Sequence, residues 1–476
     1  MAVLEHVDVA PQPLERFREL LGPRFEEVAA AGVEAQKLFS GRVIWQVNST
    51  GQGGGVAEML RSHLAYVRAV GVDTRWVVVG EGDEFFRVTK RLHNHLHGSP
   101  GDGGALGAAE RATYEAGLAA GSTALRRLVR RGDVALIHDP QPVGLVADLR
   151  AAGVHVLWRC HIGVDQPNEL TRAAWDFLRP FVDHADAFIF SRAAYVWDGL
   201  DEGKVSIVPP SIDPFSPKNQ DLSGSSVDAI LGVIGLAPDA RDGPSVFQRT
   251  DGTPARVDRE ATIVQDAPLP DGRRVVTQVS RWDRLKDPVG VIDGFARAEL
   301  PEDVHLVLAG PDVTTVSDDP EGGAVLAEVI DRRGSIDQAL RERVHLVSLP
   351  MDDIEENAAM VNALQRRSEI VVQKSLAEGF GLTVSEAMWK QRPVIAGRVG
   401  GIQDQVVDGE SGLLVDPRDL DAFARALEWF LGHPDKAARM GENARHRVGE
   451  EFLVTRRLVQ YFEIFAGLIN PRKARG

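Results

Sequence analysis

Two carboxylates set around a glycine turn stand out in the stretch VVQKSLAEGFGLTVSEAMW, residues 371–389. Glu378 and Glu386 are separated by seven residues, and Glu378-Gly-Phe-Gly381 reads as a tight loop after a buried strand. A helix then opens over 382–389, which puts one acid in the loop and the other in the first helical turn. Glycines let backbone approach a ligand closely, and a helix start offers free N–H groups to an anion. Hydroxyls bonded to the acids and phosphates bonded to the amides suit a ligand that is part sugar and part phosphate. A plainer alternative exists for one of the acids. Thr383-x-x-Glu386 is also a capping box, in which Glu386 is structural.

Every other candidate also sits just after a strand. Arg281 and Lys286 follow RVVTQV (274–279) in Ser-Arg281-Trp-Asp-Arg-Leu-Lys286-Asp-Pro. Arginine offers a planar fork for phosphate oxygens and lysine a point charge, so the pair suggests a small anionic ligand. The alternative is a surface ion pair with Asp283 or Asp287. His138-Asp139-Pro-Gln141-Pro ends one strand, and His161, in RCHIG, ends the next. Two histidines at consecutive strand ends favour a ligand site. Metal binding is the weaker reading, since no H-x-x-H or Cys/His cluster accompanies them. Gly51-x-Gly53-Gly54-Gly55 follows the first strand. It reads either as amides reaching toward a phosphate or sugar, or as a plain tight turn, and it lacks dinucleotide-fingerprint spacing.

The elements that position these residues repeat. VIWQVN (43–48), WVVVG (76–80), VALIHD (134–139), VHVLWR (154–159), AFIFS (187–191) and VSIVP (205–209) are strand candidates, mostly separated by helical segments. A second series runs RVVTQV, VHLVLAG (304–310), RVHLVSL (343–349), IVVQ (370–373), PVIAG (393–397) and GLLV (412–415). Strands alternating with helices imply parallel sheets, so two α/β domains in tandem are expected. Ligands of such sheets bind beyond the carboxyl ends of the strands, and two facing edges make an interdomain cleft. Apolar helices over 14–39 pack on the first domain, and the glycine-rich 98–107 segment reads as a mobile loop. Pro-rich 209–217 reads as a linker. Residues 218–272 read as a short helix followed by a largely irregular insertion. The divisions expected are 1–217, 218–450 and a terminal helical segment, 451–476, that crosses back onto the first domain.

The 476 residues exceed what one core usually serves. A net charge of −15 argues against nucleic acid or an anionic membrane as partner on bulk attraction. One cysteine, Cys160, excludes an internal disulfide framework and reads as a buried small hydrophobe. No signal peptide and no membrane span is evident, so a cytoplasmic protein is the expectation.

Ser280-Arg281…Lys286 and Glu378…Glu386, with Gly400-Gly-Ile-x-Asp404 and Asp408-Gly-Glu-Ser-Gly412-Leu, resemble the retaining glycosyltransferases of the GT-B fold, family 4 and its relatives. The resemblance covers roughly 43–217 and 274–450. In the first half, HDPQP (138–142), RCHIG (159–163), Pro167-Asn168-Glu169 and PPSIDP (209–214) look like the trehalose glycosyltransferring synthases of that family. The resemblance implies two Rossmann-like domains and a retaining transfer of glucose from a nucleoside diphosphate glucose to free glucose. It implies catalytic roles for Arg281, Lys286, Glu378 and His161. Gly53, Gly54, Gly55, Leu382, Thr383 and Glu386 would bind the donor, and His138, Asp139 and Gln141 the acceptor. It further implies no obligatory metal or cofactor beyond the nucleotide-sugar co-substrate. The apolar terminal helices leave room for a homodimer. Two alternatives stay open: a trehalose phosphorylase with the same fold, and a nucleotide-sugar-binding regulator without turnover.

Overall fold

The chain forms two compact units, one of residues 1–211 with 454–476, the other of residues 212–453. The computed structural model describes residues 4–51, 54–80, 82–237, 243–313 and 320–470. The seams lie at 211/212 and 453/454 rather than at 217/218 and 450/451. The first seam falls inside the Pro-rich 209–217 segment expected as the linker, but its residues beyond the seam are bonded rather than free. Pro217 O accepts from Asn362 Nδ2 (3.0 Å), and Ile212 N–H donates to Phe452 O (2.8 Å). These bonds tie residues 212–217 into the second unit.

In the first unit the strands are β1 (Glu5–Val7), β2 (Ile44–Asn48), β3 (Thr74–Val78), β4 (Val134–His138), β5 (His155–Cys160), β6 (Ala187–Phe190) and β7 (Val205–Ile207). They form one sheet in the order β1-β3-β2-β4-β5-β6-β7. All neighbours run parallel except β1, which adds antiparallel to β3. β2, β4 and β6 are buried at every position, as expected of a parallel sheet covered on both faces. β1 was not legible in the sequence, because its three residues, EHV, carry no apolar run.

Helix Phe25–Leu38 packs on the terminal helix Val454–Ile469, and the Phe39 and Phe465 rings meet edge to face at 5.9 Å. The apolar faces that left room for a second copy therefore cover each other within one unit. The 98–107 segment is pinned rather than loose. Arg91 forks onto Asp102 (2.7 and 2.8 Å) and donates to Ala105 O (2.5 Å).

The second unit contains a hairpin of β8 (Val246–Gln248) and β9 (Pro254–Arg256), and then β10 (Thr262–Val264), β11 (Arg274–Val279), β12 (Val304–Pro311), β13 (Val344–Leu349), β14 (Ile370–Gln373), β15 (Val394–Gly397) and β16 (Leu413–Val415). The sheet order is β10-β13-β12-β11-β14-β15-β16. β11 to β16 are parallel, and β10 closes one edge antiparallel to β13.

The 218–272 segment has the expected short helix and a remainder in which most described residues lie outside helix and strand, yet three short strands stand within it. It supplies helix Gly224–Val233, the hairpin and edge strand β10. Val227, Ile230, Ile234, Phe247 and Val257 join one core cluster with Val275 and Val307 of the sheet. Three-residue strands among Asp, Gly, Ser and Pro fall below what periodicity can register.

Each sheet has one place where the strand order reverses. It falls between β2 and β4 in the first unit and between β11 and β14 in the second. Carboxyl ends of strands flanking such a point open a crevice that binds ligands. No described helix is long and apolar enough to cross a membrane.

Candidate active site

At the second unit's reversal point, the loops after β11 and β14 meet. Lys286 Nζ contacts Glu378 Oε2 at 2.5 Å, across 92 residues of sequence. Ser375 Oγ donates to the same carboxylate oxygen at 3.2 Å. The turn that carries Lys286 is built by Asp283, whose side chain accepts from Leu285 N–H (2.7 Å). Leu376 N–H donates to Leu285 O (2.7 Å) and laces the two loops together. Arg281 sits on the same loop with its side chain 60% exposed and an ion pair to Asp283 at 2.9 Å. That is the surface pairing weighed as its alternative reading. The loop thus presents a fixed cation, Lys286, and two solvent-accessible ones: Arg281, and Arg284, which pairs with Glu321 and Glu328.

Gly381 begins the next helix, Leu382–Trp389, as its N-cap in the left-handed region (φ +82°). Glycine alone adopts that conformation at no steric cost. Gly401 has a different reason to be glycine. A Cβ there would lie 2.7 Å from Phe380 Cα and 3.0 Å from Gly379 O. The Gly400-Gly401 loop is therefore pressed against the 379–381 turn. Gln405 donates to Phe380 O and accepts from Ser385 Oγ (2.5 Å), clamping both ends of that turn.

The capping-box reading of Thr383 and Glu386 does not hold. Gly381 is the N-cap, no side chain caps the helix, and Thr383 already lies inside it. Glu386 sits beyond the first turn and is buried. Lys218 Nζ lies 3.7 Å from its carboxylate. Leu382 and Thr383 hold the first helical positions, where backbone N–H groups have no intrahelical acceptor.

At the first unit's edge, a chain of polar side chains runs inward from His161. Its Nε2 meets His138 Nδ1 at 3.2 Å, and His138 Nε2 meets Gln46 Oε1 at 2.8 Å, with the two rings stacked. Burial, reinforced by Arg159 and Arg457, drives both histidines' pKa values well below the usual range, so both rings are neutral. The proton positions follow. Gln46 Oε1 only accepts, so His138 carries its proton on Nε2. His138 Nδ1 then accepts from His161 Nε2–H. His161 Nδ1 is left as a lone-pair acceptor, buried and without a hydrogen-bond partner. Gln141 Oε1 and Asn48 Nδ2, at the same sheet edge, are likewise buried without partners.

Asp139 is held in the left-handed region (φ +64°), and its Oδ1 accepts from His161 N–H (2.7 Å). Burial raises its pKa to about 7. His138 was expected at the ligand. It is wholly buried with both ring nitrogens engaged, so it backs His161 rather than presenting itself. Of the first glycine turn, Gly53 lies outside the described residues, while Gly54 opens helix Gly54–Ala69 and Gly55 is exposed within it. Cys160 is buried, and burial pushes its thiol pKa up, which fits the reading of an inert small hydrophobe.

Several contributors were missed in the sequence. Arg159 is wholly buried beneath His161 and donates to Phe190 O (3.0 Å). His63 stands 5.1 Å from the Tyr461 ring, and the Arg457 guanidinium lies 5.2 Å from that ring's centre. The signal available was the i, i+4 spacing of Arg457 and Tyr461, which puts both on one face of their helix, with the apolar Leu458, Phe462 and Phe465. In the second unit, Lys374 and Lys218 were not singled out in the sequence. Among the described residues, no group of three or more His, Cys, Asp or Glu is arranged to hold a metal ion.

Comparison with known proteins places this geometry in a family. Residues 46–197 match the family model "Trehalose synthase, N-terminal domain", and residues 260–447 match "Glycosyl transferases group 1". A trehalose synthase of Pyrococcus horikoshii is 35% identical over 457 residues, covering 96% of both chains. A trehalose phosphorylase of Pleurotus pulmonarius is 26% identical over 435 residues, covering 85% of this chain and 54% of that one. Among solved structures, the UDP-forming α,α-trehalose-phosphate synthase of Burkholderia vietnamiensis superposes with a TM-score of 0.66 at 17% identity, over 90% of this chain and 98% of that one. HepE of Anabaena, in complex with UDP and glucose, gives a TM-score of 0.57 at 16% identity, over 89% and 98%. These structures share the fold, two Rossmann-like α/β domains, and the near full-length sequence match fixes the descent: the chain belongs to the trehalose synthase family of GT-B glycosyltransferases.

Proposed function

We propose that the protein makes trehalose by moving glucose, with retention, from a nucleoside diphosphate glucose to free glucose. The observation that carries this reading is the meeting of Lys286 and Glu378 at the reversal point of the second sheet. A cation and a carboxylate side by side suit a ligand with phosphates next to sugar hydroxyls. The family match and the UDP- and glucose-bound state of the HepE relative support the same ligand class.

In this reading Arg281 and Lys286 stabilise the charge that grows on the departing diphosphate, helped by the amides of Leu382 and Thr383. Glu378 accepts from the donor glucose hydroxyls and Glu386 from the ribose hydroxyls. Gly53, Gly54 and Gly55 are donor-binding residues in this reading. His161 offers Nδ1 as a fixed lone pair to a sugar hydroxyl, with His138 and Gln46 holding its tautomer. Gln141 and Asp139 complete the acceptor side. Glu378 is held by Lys286 and Ser375, which marks it as a hydroxyl acceptor rather than a free nucleophile. Attack then comes from the face the diphosphate leaves, and a leaving phosphate oxygen takes the acceptor's proton. The configuration is kept without a covalent intermediate.

The test is incubation with labelled glucose and a panel of nucleoside diphosphate glucoses, scored for trehalose. The phosphorylase relative motivates a second arm with trehalose and inorganic phosphate. Glucose 1-phosphate formed without nucleotide, and no trehalose from any donor, would replace the synthase reading with the phosphorylase one.

A further inference from the structure

The donor-side turn is held from beneath by a lysine that no sequence pattern singled out. Lys374 follows β14 directly, its side chain has 0% exposure, and its ammonium pairs with the carboxylate of Asp287. Asp287 sits in the left-handed region (φ +49°), directly before Pro288. That conformation is sparsely populated for a residue with a side chain and persists only where its surroundings impose it. The surroundings here are specific. One Asp287 oxygen faces Lys374, and the other accepts from Gly290 N–H (3.1 Å), capping helix Pro288–Arg297. Asp287 N–H closes onto Arg284 O (3.1 Å), and Lys286 N–H onto Asp283 O (2.9 Å). Gln278 fastens the same turn, donating to Lys286 O (2.9 Å) and accepting from Lys374 N–H (3.3 Å).

We infer that Lys374 is a positioning residue of the donor site: by holding Asp287 in its left-handed conformation, it sets the backbone from which Lys286 reaches Glu378. The inference rests on the proposed role of Lys286 at the donor diphosphate. Lys374 itself, enclosed behind the loop, touches no substrate. It acts through charge. With a neutral side chain in its place, the Asp287 carboxylate loses its counter-ion in a mostly buried setting, and relaxation of Asp287 carries Lys286 with it.

The test compares the native protein with K374M and with the double variant K374M/D287N. Two readouts are followed: hydrogen–deuterium exchange of the 280–290 amides, and steady-state kinetics with donor and acceptor varied separately. In K374M, exchange over 284–290 rises. Donor kcat/KM falls roughly 10- to 100-fold, the scale set by misplacing a catalytic group by about 1 Å, while acceptor KM stays at the native value. The double variant removes both charges, and asparagine both caps a helix and tolerates the left-handed region. It restores native exchange and most of the donor kcat/KM. Native exchange and native donor kinetics in K374M would overturn the inference. So would a loss shared equally by donor and acceptor that the double variant fails to recover, since that marks a general packing role. Absence of turnover in the native protein would sink the proposed function instead, and the exchange arm would still decide whether Lys374 sets the turn.

Discussion

Replacing Lys286 by methionine separates a catalytic ion pair from a scaffold one. Lys286 and Glu378 touch at 2.5 Å with side chains only 15% and 13% exposed. An ammonium about 4 Å from a phosphate oxygen is worth about 4 kcal/mol at an effective dielectric near 20. The leaving phosphate gains roughly half a charge as the glycosidic bond breaks. About 2 kcal/mol of the interaction is therefore felt only in the transition state, or roughly 30-fold in kcat. The remainder appears in donor KM. K286M also deprives Glu378 of its cation, with Ser375 Oγ at 3.2 Å still in reach. The expected loss of stability is about 2 kcal/mol, between the values for exposed and for buried pairs. In K286M/E378Q both charges are gone, so stability returns while kcat stays at least as low as in K286M. The assay pairs urea denaturation with steady-state kinetics at saturating acceptor. A double variant that regains native kcat would refute the reasoning, because the pair would then serve the fold alone. Lys374 and Asp287 behave differently: neutralising that pair restores activity, and neutralising this one does not.

Two further outcomes follow from the same geometry. Gly401→Ala places a methyl 2.7 Å from Phe380 Cα, so the 379–381 turn must shift. A loss of roughly 1–3 kcal/mol in stability is expected, with a raised donor KM and an unchanged acceptor KM, read by thermal melts and kinetics. Stability also depends on pH through the first unit's edge. His63, His138 and His161 are held neutral, their pKa values driven well below the usual range by burial. Their contribution is complete above the unfolded value of about 6.5 and is lost as pH falls below it, by up to about 1.4 kcal/mol per pH unit for each. Asp139, raised to about 7, opposes one of the three, since the native carboxyl binds its proton where the unfolded one does not. Urea denaturation at about pH 5 and about pH 7 measures the net, and equal stabilities would contradict neutral buried histidines.

Local chemistry along the chain was enough for the parallel strands and for the residues at their carboxyl ends. Runs such as VALIH and AFIF are apolar at nearly every position, because both faces of their sheet are covered. Glu378, Lys286, His161 and the glycine turns announced themselves by type and by standing just after those runs. Short elements were another matter. β1, β8, β9 and β10 have three residues each, too few to show a period, so the strands of an insertion that shares a core cluster with the sheet went unread.

What only the tertiary structure decided is which groups are paired and which are spent. Lys286 and Glu378 stand 92 residues apart, and only the reversed strand order, β11 beside β14, makes them neighbours. His138 looked as available as His161 until Gln46 and His161 were seen to take both its ring nitrogens. Lys374 carries no mark in the sequence, because burial is a property of everything packed around a side chain. Residue type and strand-end position are one-dimensional facts. Hydrogen-bond occupancy and counter-ion choice depend on distances between segments remote in the chain, and those distances exist only once the sheets are assembled.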